Sequence, residues 1–490
     1  MPFKLGRCSN GEFVPPPLSP VAAEAMRRAR QISDDAARRL GWSRRQFLTS
    51  SAGMATGLVA LQACTDEARR AGATTTGPAS TGPATTRPAM TGPGGTFTVP
   101  PTAITEPELA TTTTQLPPGS LLVDVQNHVL DYELNPQAPT FGAGFPQGAC
   151  EAGDPRQCFT PERWIDLVFR QSDTTMAVLS AIPAVGDANP LTIEAMERGR
   201  EMAAAMCGDA RVLIQGQAAP DVGPIEAALE AMSAVTAAHA VCAWKVYTHS
   251  PNGWFLDDAD PQAPQVGERF LAHVEELGVP VVAVHKGLAG GAPFASPRDI
   301  GPAAVRHPHL SFLVYHSGYE SGVVESEFNP GGAGVDRLVQ SLADAGVGPG
   351  GNVYAELGTT WRSVMGDLDQ AAHVLGKLLL AVGDDNVVWG TDSIWYGSPQ
   401  DQIAALHAFE ITPEFQERFG YPALTAERKA KILGLNAVRV LGIAAPIAGA
   451  CPPEVQAGLR RGDPLANVAP GPVSRRDVLA TFVREHPWVR

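Results

Sequence analysis

The chain predicts a (β/α)8 barrel, the TIM barrel, preceded by a signal segment and a disordered linker, and three observations carry the prediction. Five separated apolar, β-branched segments end on metal-ligand residue types: Asp124-Val125-Gln126-Asn127-His128, Val281 to His285, Phe312 to His316, Tyr354-Ala355-Glu356 and Val387 to Asp392. From Leu121 onward such segments alternate with stretches of helical apolar spacing, the signature of repeated βα units. Polar groups recurring at strand ends fit a fold whose catalytic groups sit at the C-terminal mouth of the strands.

Residues 1–64 read as an address. Ser43-Arg44-Arg45-Gln46-Phe47-Leu48 precedes an apolar run from Ala52 to Leu61 and then Leu61-Gln62-Ala63-Cys64. This resembles a twin-arginine export signal ending in a lipobox. The run is too short to cross a hydrocarbon core of about 30 Å as a helix of about 20 residues, so it reads as a signal h-region. A buried amphipathic helix with a chance arginine pair is the alternative. Export through the twin-arginine machinery to the periplasm or cell surface is expected, with Cys64 as the lipidation site and the only membrane contact. Met26, which opens Met26-Arg27-Arg28-Ala29-Arg30, is a second candidate start.

Residues 65–119 are rich in Thr, Pro, Gly and Ala, as in Thr74-Thr75-Thr76-Gly77-Pro78 and Thr111-Thr112-Thr113-Thr114, and read as a flexible spacer. Residues 120–443 are the barrel, with strands expected near 121–127, 174–182, 212–219, 240–247, 279–285, 310–316, 352–357 and 386–391. Helical spacing falls between them, at Thr192 to Met206, Pro224 to Ala238, Val266 to Leu277, Val335 to Ala345 and Leu368 to Leu380. No Gly-rich loop follows the first strand, which counts against an open dinucleotide-binding sheet. Residues 444–490 form a C-terminal extension outside the barrel, with a helix expected from Ser474 to about Arg484.

Composition narrows the function classes. The 490 residues hold 37 Lys+Arg against 51 Asp+Glu, a net charge of −14, without a basic cluster beyond the N-terminal address segment, so nucleic acid is not an expected partner. Seven cysteines in a chain this long are no disulfide scaffold, and no Cys-x-x-Cys occurs. Cys150 and Cys158 can close a small loop in an oxidising compartment, whereas Cys207 and Cys242 read as small buried residues. A Gly-x-Ser-x-Gly elbow is absent, which removes the usual serine hydrolase.

The ordered ligands resemble those of the amidohydrolase superfamily, in the branch of metal-dependent TIM-barrel hydrolases and decarboxylases that includes aminocarboxymuconate semialdehyde decarboxylase. The resemblance covers Leu121 to Ile443 and is most specific in Val388-Trp389-Gly390-Thr391-Asp392-Ser393 and Lys431-Ile432-Leu433-Gly434-Leu435-Asn436-Ala437. Members carry His-x-His on the first strand, His on the fifth, His on the sixth and Asp on the eighth. Here Gln126 and His128, His285, His316 and Asp392 stand at those places, so Gln126 departs from the pattern.

Alternation along a strand points Asp124, Gln126 and His128 to one side, with His128 nearest the mouth. The resemblance implies a divalent ion on His128, His285, Asp392 and Gln126, with zinc as the first expectation. Oxygen from Gln126, Asp392 and Asp124 would suit manganese or magnesium. It also implies that Asp392 moves a proton and that His316 orients water or polarises a carbonyl.

Lys245, at a position that some superfamily members carboxylate, is expected to bind a substrate carboxylate or to pair with Glu356. Glu356 itself is either a polar support or a buried brace. Trp254, Trp395 and Tyr396 are candidate substrate walls, and Arg362 a candidate anion clamp or a salt-bridge partner. His273, His307, His309 and His373 read as ordinary core or surface residues. The expected activity is hydrolysis of a small-molecule ester, lactone or amide. Decarboxylation of a small aromatic carboxylic acid and an inactive ligand-binding barrel remain alternatives, and a homo-oligomer is compatible with either.

Overall fold

The computed structural model describes residues 18–48, 50–71, 92–150, 152, 154–258, 265–449 and 451. Eight parallel strands run in chain order around the barrel: β1 Val123–Asn127, β2 Met176–Leu179, β3 Val212–Gln217, β4 Val241–Tyr247, β5 Val281–His285, β6 Ser311–Tyr315, β7 Val353–Glu356 and β8 Val387–Val388. The ring closes between β1 and the segment after β8, where Asn127 bridges Ser393, His128 N donates to Ser393 O at 2.6 Å and Val125 N donates to Trp389 O at 3.1 Å. Each expected strand is present.

Alternation divides the strands into an inner and an outer set. Val281, Ala283, Leu313, Tyr315, Tyr354 and Val388 share the core inside the ring. Val282, Val284, Phe312, Val314, Ala355 and Trp389 pack outward against the helices. These strands are buried on both faces, which is why they read as nearly continuous apolar runs.

The helices follow the same economy. Val266–Leu277 buries Phe270, Leu271 and Val274 and ends at Gly278, whose φ of 69° is the left-handed cap that glycine takes without a Cβ penalty. Leu368–Val382 starts under the Asp367 side chain, which accepts from Gln370 N.

Two expectations are corrected. The first is the spacer: only residues 72–91 of it lie outside the described residues. Gly95–Phe97 pairs antiparallel with Phe409–Ile411, and a helix forms at Pro107–Thr114. Phe97, Val99, Ala103, Ile104 and Ala110 supply the buried apolar surface, and the hydroxyls of Thr112, Thr113 and Thr114 bond back to carbonyls one turn earlier.

The second is Cys207, which is bonded to Cys451 and so pins the chain after the barrel to the helix Ile193–Cys207. The Cys150–Cys158 bridge is formed, and Cys242 is free. The helix expected at Ser474 lies outside the described residues.

Residues Pro20–Leu40 and Ser51–Arg70 form helices that pack on each other and on the barrel's shell. Arg28 pairs with Glu67 at 2.6 Å, Arg69 with Asp369, and Gln62 Oε1 accepts Phe97 N at 3.1 Å. Cys64 is buried in the second of these helices. Among the described residues no helix is long and apolar enough to cross a membrane.

Candidate active site

At the C-terminal mouth, β1 is irregular. The β1–β2 register shifts between Asp124 and Asn127, and Asn127 turns outward to accept the Trp164 indole N–H at 3.0 Å. Gln126 and His128 then face Asp392 together. Asp124 does not join them, because its oxygens take Thr391 N at 3.0 Å, the Thr391 hydroxyl and Gln126 N at 3.2 Å. It braces the turn after β8, and burial pushes its acid up to about 7.

Asp392 is the centre of the cluster. Its Oδ1 faces His128 Nε2 at 3.0 Å and accepts Gln126 Nε2 at 2.9 Å and Trp395 Nε1 at 3.2 Å, while Oδ2 accepts the Thr359 hydroxyl at 2.6 Å. Burial alone would raise this acid; the hydrogen bond from His128 and the nearby imidazoles outweigh it and hold it at about 2. The carboxylate is therefore ionised across the neutral range.

The imidazoles are oriented by carbonyls. His128 Nδ1–H donates to Ser180 O at 2.7 Å, which leaves Nε2 toward Asp392. His316 Nδ1–H donates to Gly358 O at 2.7 Å, and its Nε2 takes the proton of His285 Nδ1 at 3.2 Å. Burial lowers His316 to about 4 and pushes His285 well below the ordinary range, so both are neutral at pH 7.

Backbone strain collects in the same place. Of the six non-glycine residues with positive φ among those described, His316 at 66°, Ser317 at 51°, Thr359 at 56° and Asp392 at 58° are site residues. Sparsely populated backbone of this kind persists where the surroundings over-determine it, typically around reacting groups. Tyr315 points inside the ring, so simple alternation would send His316 outward; its left-handed backbone returns it to the site.

The remaining expected residues divide. Trp395 stacks on His128 at 5.2 Å between ring centroids and on Phe145 at 4.9 Å, forming a wall supported by Gln147 N, just before the disulfide loop, which donates to Trp395 O at 2.9 Å. Tyr396 shares a hydrogen bond with Thr359 at 3.1 Å.

Arg362 is buried, with its guanidinium 4.4 Å above the Tyr396 ring and 3.8 Å from Asp401, so it is an internal pair rather than an open clamp. Trp254 packs edge-on against Phe270 in the outer core, away from the reacting groups.

Glu356 is a brace. Its oxygens accept His316 N at 2.9 Å and Gly358 N at 2.6 Å, and burial pushes its acid up to about 8. Lys245 does not reach it. The ammonium lies 3.6 Å over the Tyr315 ring with no hydrogen-bond partner among the described residues, and burial lowers it to about 7.

Sequence reasoning passed over two residues: Thr359, which fixes the Asp392 carboxylate, and His249, just beyond β4, whose ring lies 4.8 Å from that of His285. Position two or three residues past a strand end was the available signal for both.

The donors suit a divalent ion in part. Among the described residues no three His, Cys, Asp or Glu side chains already close on one point. His128 Nε2 and Asp392 Oδ1 nevertheless face each other lone pair to lone pair unless a proton or a cation lies between them, and the His128 Nδ1–H is tied to a carbonyl as ligating histidines usually are. His285 Nε2 and Gln126 Oε1 are buried without partners. An imidazole, a carboxylate and orphaned acceptors are the donor chemistry that such an ion takes.

The amidohydrolase family model matches residues 123–443. No curated protein matches the sequence. Among solved structures the chain is similar to an uncharacterised TIM-barrel protein from Bordetella bronchiseptica (12% identity, covering 66% of this chain and 98% of that one, TM-score 0.43). It is also similar to a dihydroxybenzoic acid decarboxylase from Polaromonas sp. JS666 with bound manganese (16%, 66% and 98%, TM-score 0.40). A third is 4-oxalomesaconate hydratase from Rhodopseudomonas palustris (12%, 66% and 96%, TM-score 0.39).

Proposed function

Because the chain belongs to the amidohydrolase family, we propose that it is an exported hydrolase that directs water onto the carbonyl of a small-molecule ester, lactone or amide. The observation that supports this most is the buried Asp392 carboxylate, ionised, fixed by donors from Gln126, Trp395 and Thr359, and faced by His128 Nε2 at the barrel mouth.

A divalent ion on His128, Asp392 and His285, zinc before manganese or magnesium, would supply an acidified water and a polarised carbonyl. Asp392 keeps one oxygen, Oδ2, whose only donor among the described residues is the Thr359 hydroxyl, and this atom would take the water's proton and return it to the leaving group. His316, neutral and held by Gly358 O, orients the water or the carbonyl through Nε2. Glu356 positions His316 by holding its backbone N–H. Trp395, with Phe145 and Tyr396, offers a flat apolar wall for the substrate.

Decarboxylation of a small aromatic acid is the second reading, favoured by Lys245, an unpaired buried cation under the site that a substrate carboxylate would neutralise. A panel of esters, lactones and amides assayed beside a panel of hydroxybenzoic acids separates the two. Acid or alcohol release lost in Asp392→Asn supports hydrolysis, carbon dioxide release lost in the same variant supports the second reading, and ligand binding without turnover in either panel leaves an inactive barrel.

Export is supported by two disulfides in one chain, because such bonds persist in oxidising compartments. Lipidation of Cys64 requires the helix Ser51–Arg70 to leave the barrel, since the sulfur is buried there. Cell fractionation of an Arg44→Lys, Arg45→Lys double variant tests the route: cytoplasmic retention is expected, and unchanged export would contradict it.

A further inference from the structure

A disulfide stands next to the aromatic wall of the site. Cys158, bonded to Cys150, is followed directly by Phe159, whose ring meets Trp395 edge-on at 5.3 Å. Cys150 N donates to Gln147 O at 3.1 Å, and the buried Gln147 side chain donates through Nε2 to Cys158 O at 3.1 Å. Gln147 is thereby tied to both cysteines, and its own N–H holds Trp395 O at 2.9 Å.

Trp395 in turn touches the reacting carboxylate. Its indole N–H donates to Asp392 Oδ1 at 3.2 Å, and its ring stacks on His128. The place of the indole therefore depends on backbone that the bridge closes. The rest of the fold does not: Arg156 ties the same loop to Thr140 Oγ1 at 3.0 Å and to Ala138 O at 3.2 Å, and the barrel closes elsewhere, between Asn127 and Ser393.

The bridge is also within reach of a small thiol. Cys158 is buried but Cys150 only partly so, and access helps to decide which sulfur is attacked. Attack of a thiolate on Cys150 Sγ breaks the S–S bond, and Cys158 leaves as a thiolate and takes a proton from water. Gly148 O at 3.8 Å and Asp154 O at 3.7 Å then stand ready to accept its S–H. A second thiolate attacks the mixed disulfide, leaves Cys150 as a thiol and departs with the first as a small disulfide. Oxidised glutathione, a small disulfide, reverses the exchange.

We propose that the Cys150–Cys158 bridge is a redox latch on the active-site wall: closed, it holds Trp395 on the Asp392 carboxylate, and open, it releases the indole, so that full activity waits for an oxidising compartment. The activity half of the proposal rests on the hydrolase's use of Asp392. Losing one hydrogen bond to a charged group is worth roughly a 10–100-fold fall in turnover when that group is the reacting one.

The test follows the Trp395 indole N–H by NMR in the full chain labelled with 15N-tryptophan, its cross-peak assigned by its loss in Trp395→Phe. Reduction with glutathione is expected to speed its exchange with solvent by at least about 10-fold, the lower end of the same hydrogen-bond loss. Oxidised glutathione should restore it. The indole of Trp361, bonded to Gln402 O at 2.9 Å, is the internal control and should not change.

A Cys150→Ser, Cys158→Ser double variant should show the fast Trp395 exchange from the start, with no further response to reductant and with wild-type circular dichroism. An unchanged Trp395 indole in both the reduced wild type and the double variant would overturn the latch and leave the hydrolase standing. A loosened indole with turnover unchanged would overturn its control of activity. An oxidised wild type that turns over no ester, lactone or amide would overturn the hydrolase, while the indole exchange still decides the latch.

Discussion

Replacing Asp392 by asparagine changes a charge and leaves the backbone where it is, because asparagine is one of the few residues that tolerate the φ of 58° at this position. The carboxylate takes His128, Gln126 and Trp395 on one oxygen and Thr359 on the other. An amide has a single acceptor oxygen, so one of those sides loses its partner. Removing one member of a buried, hydrogen-bonded charge pair costs about 3–5 kcal/mol.

A pH dependence accompanies the loss. The native acid is held at about 2 against an ordinary 3.8, a gap worth about 2 kcal/mol. Below 3.8 the unfolded chain binds the proton that the native carboxylate still refuses. Wild type therefore keeps the whole contribution above pH 3.8 and loses it as pH falls through about 2, whereas the asparagine variant has nothing to lose. Urea unfolding of both proteins, followed by tryptophan fluorescence at pH 7 and at steps below pH 4, should show the difference narrowing by about 2 kcal/mol. A difference that stays flat over that range would refute the assigned charge state, and turnover at the wild-type rate in the variant would refute the proton-transfer role.

Four further outcomes follow from the same contacts. Trp395→Phe keeps the stack on His128 but removes the indole N–H bonded to Asp392; a stability loss of about 1.5–3 kcal/mol in urea unfolding is expected. Lys245→Met removes a buried cation lowered to about 7 from 10.5; between those pH values wild type should gain up to about 1.4 kcal/mol per pH unit over the variant, because the unfolded lysine binds the proton that the native one sheds. Cys451→Ser opens a loop of 244 residues, which in the chain-entropy account costs up to about 5 kcal/mol and lowers the melting midpoint by the same amount as mild reductant. His316→Asn should reduce turnover by about 100-fold or more while zinc uptake stays at the wild-type level, which separates a catalytic imidazole from a ligand.

The barrel was legible because its strands are buried on both faces and so stand out as β-branched runs ending on polar residues, as Val281 to His285 and Phe312 to His316 do. Burial by apolar composition failed where a few residues carry the packing: the Thr run at residues 111–114 folds as a helix because Ala110 and its neighbours dock while the hydroxyls satisfy themselves locally. Pairing across the fold was invisible for a different reason. Cys207 and Cys451 are separated by 244 residues, and nothing in either neighbourhood signals the partner.

Within the site, residues carried by strand ends, such as His128 and Asp392, were found by position. A pair between Lys245 and Glu356 was one of the two expectations for Lys245, but Glu356 is taken by two backbone N–H groups and the Lys245 ammonium lies over the Tyr315 ring. His273, His307 and His373 do hold ordinary bonds, to Glu276, to Glu268 and Glu275, and to Tyr421 respectively. His249 carries no motif at all, and only its unpaired nitrogen beside His285 distinguishes it.

The most direct measurement is the metal content of the full chain purified without chelator, followed by zinc titration of the same sample. The account predicts one tightly held divalent ion per chain, lost in Asp392→Ala. A wild-type chain that arrives empty and remains empty at millimolar zinc would contradict it.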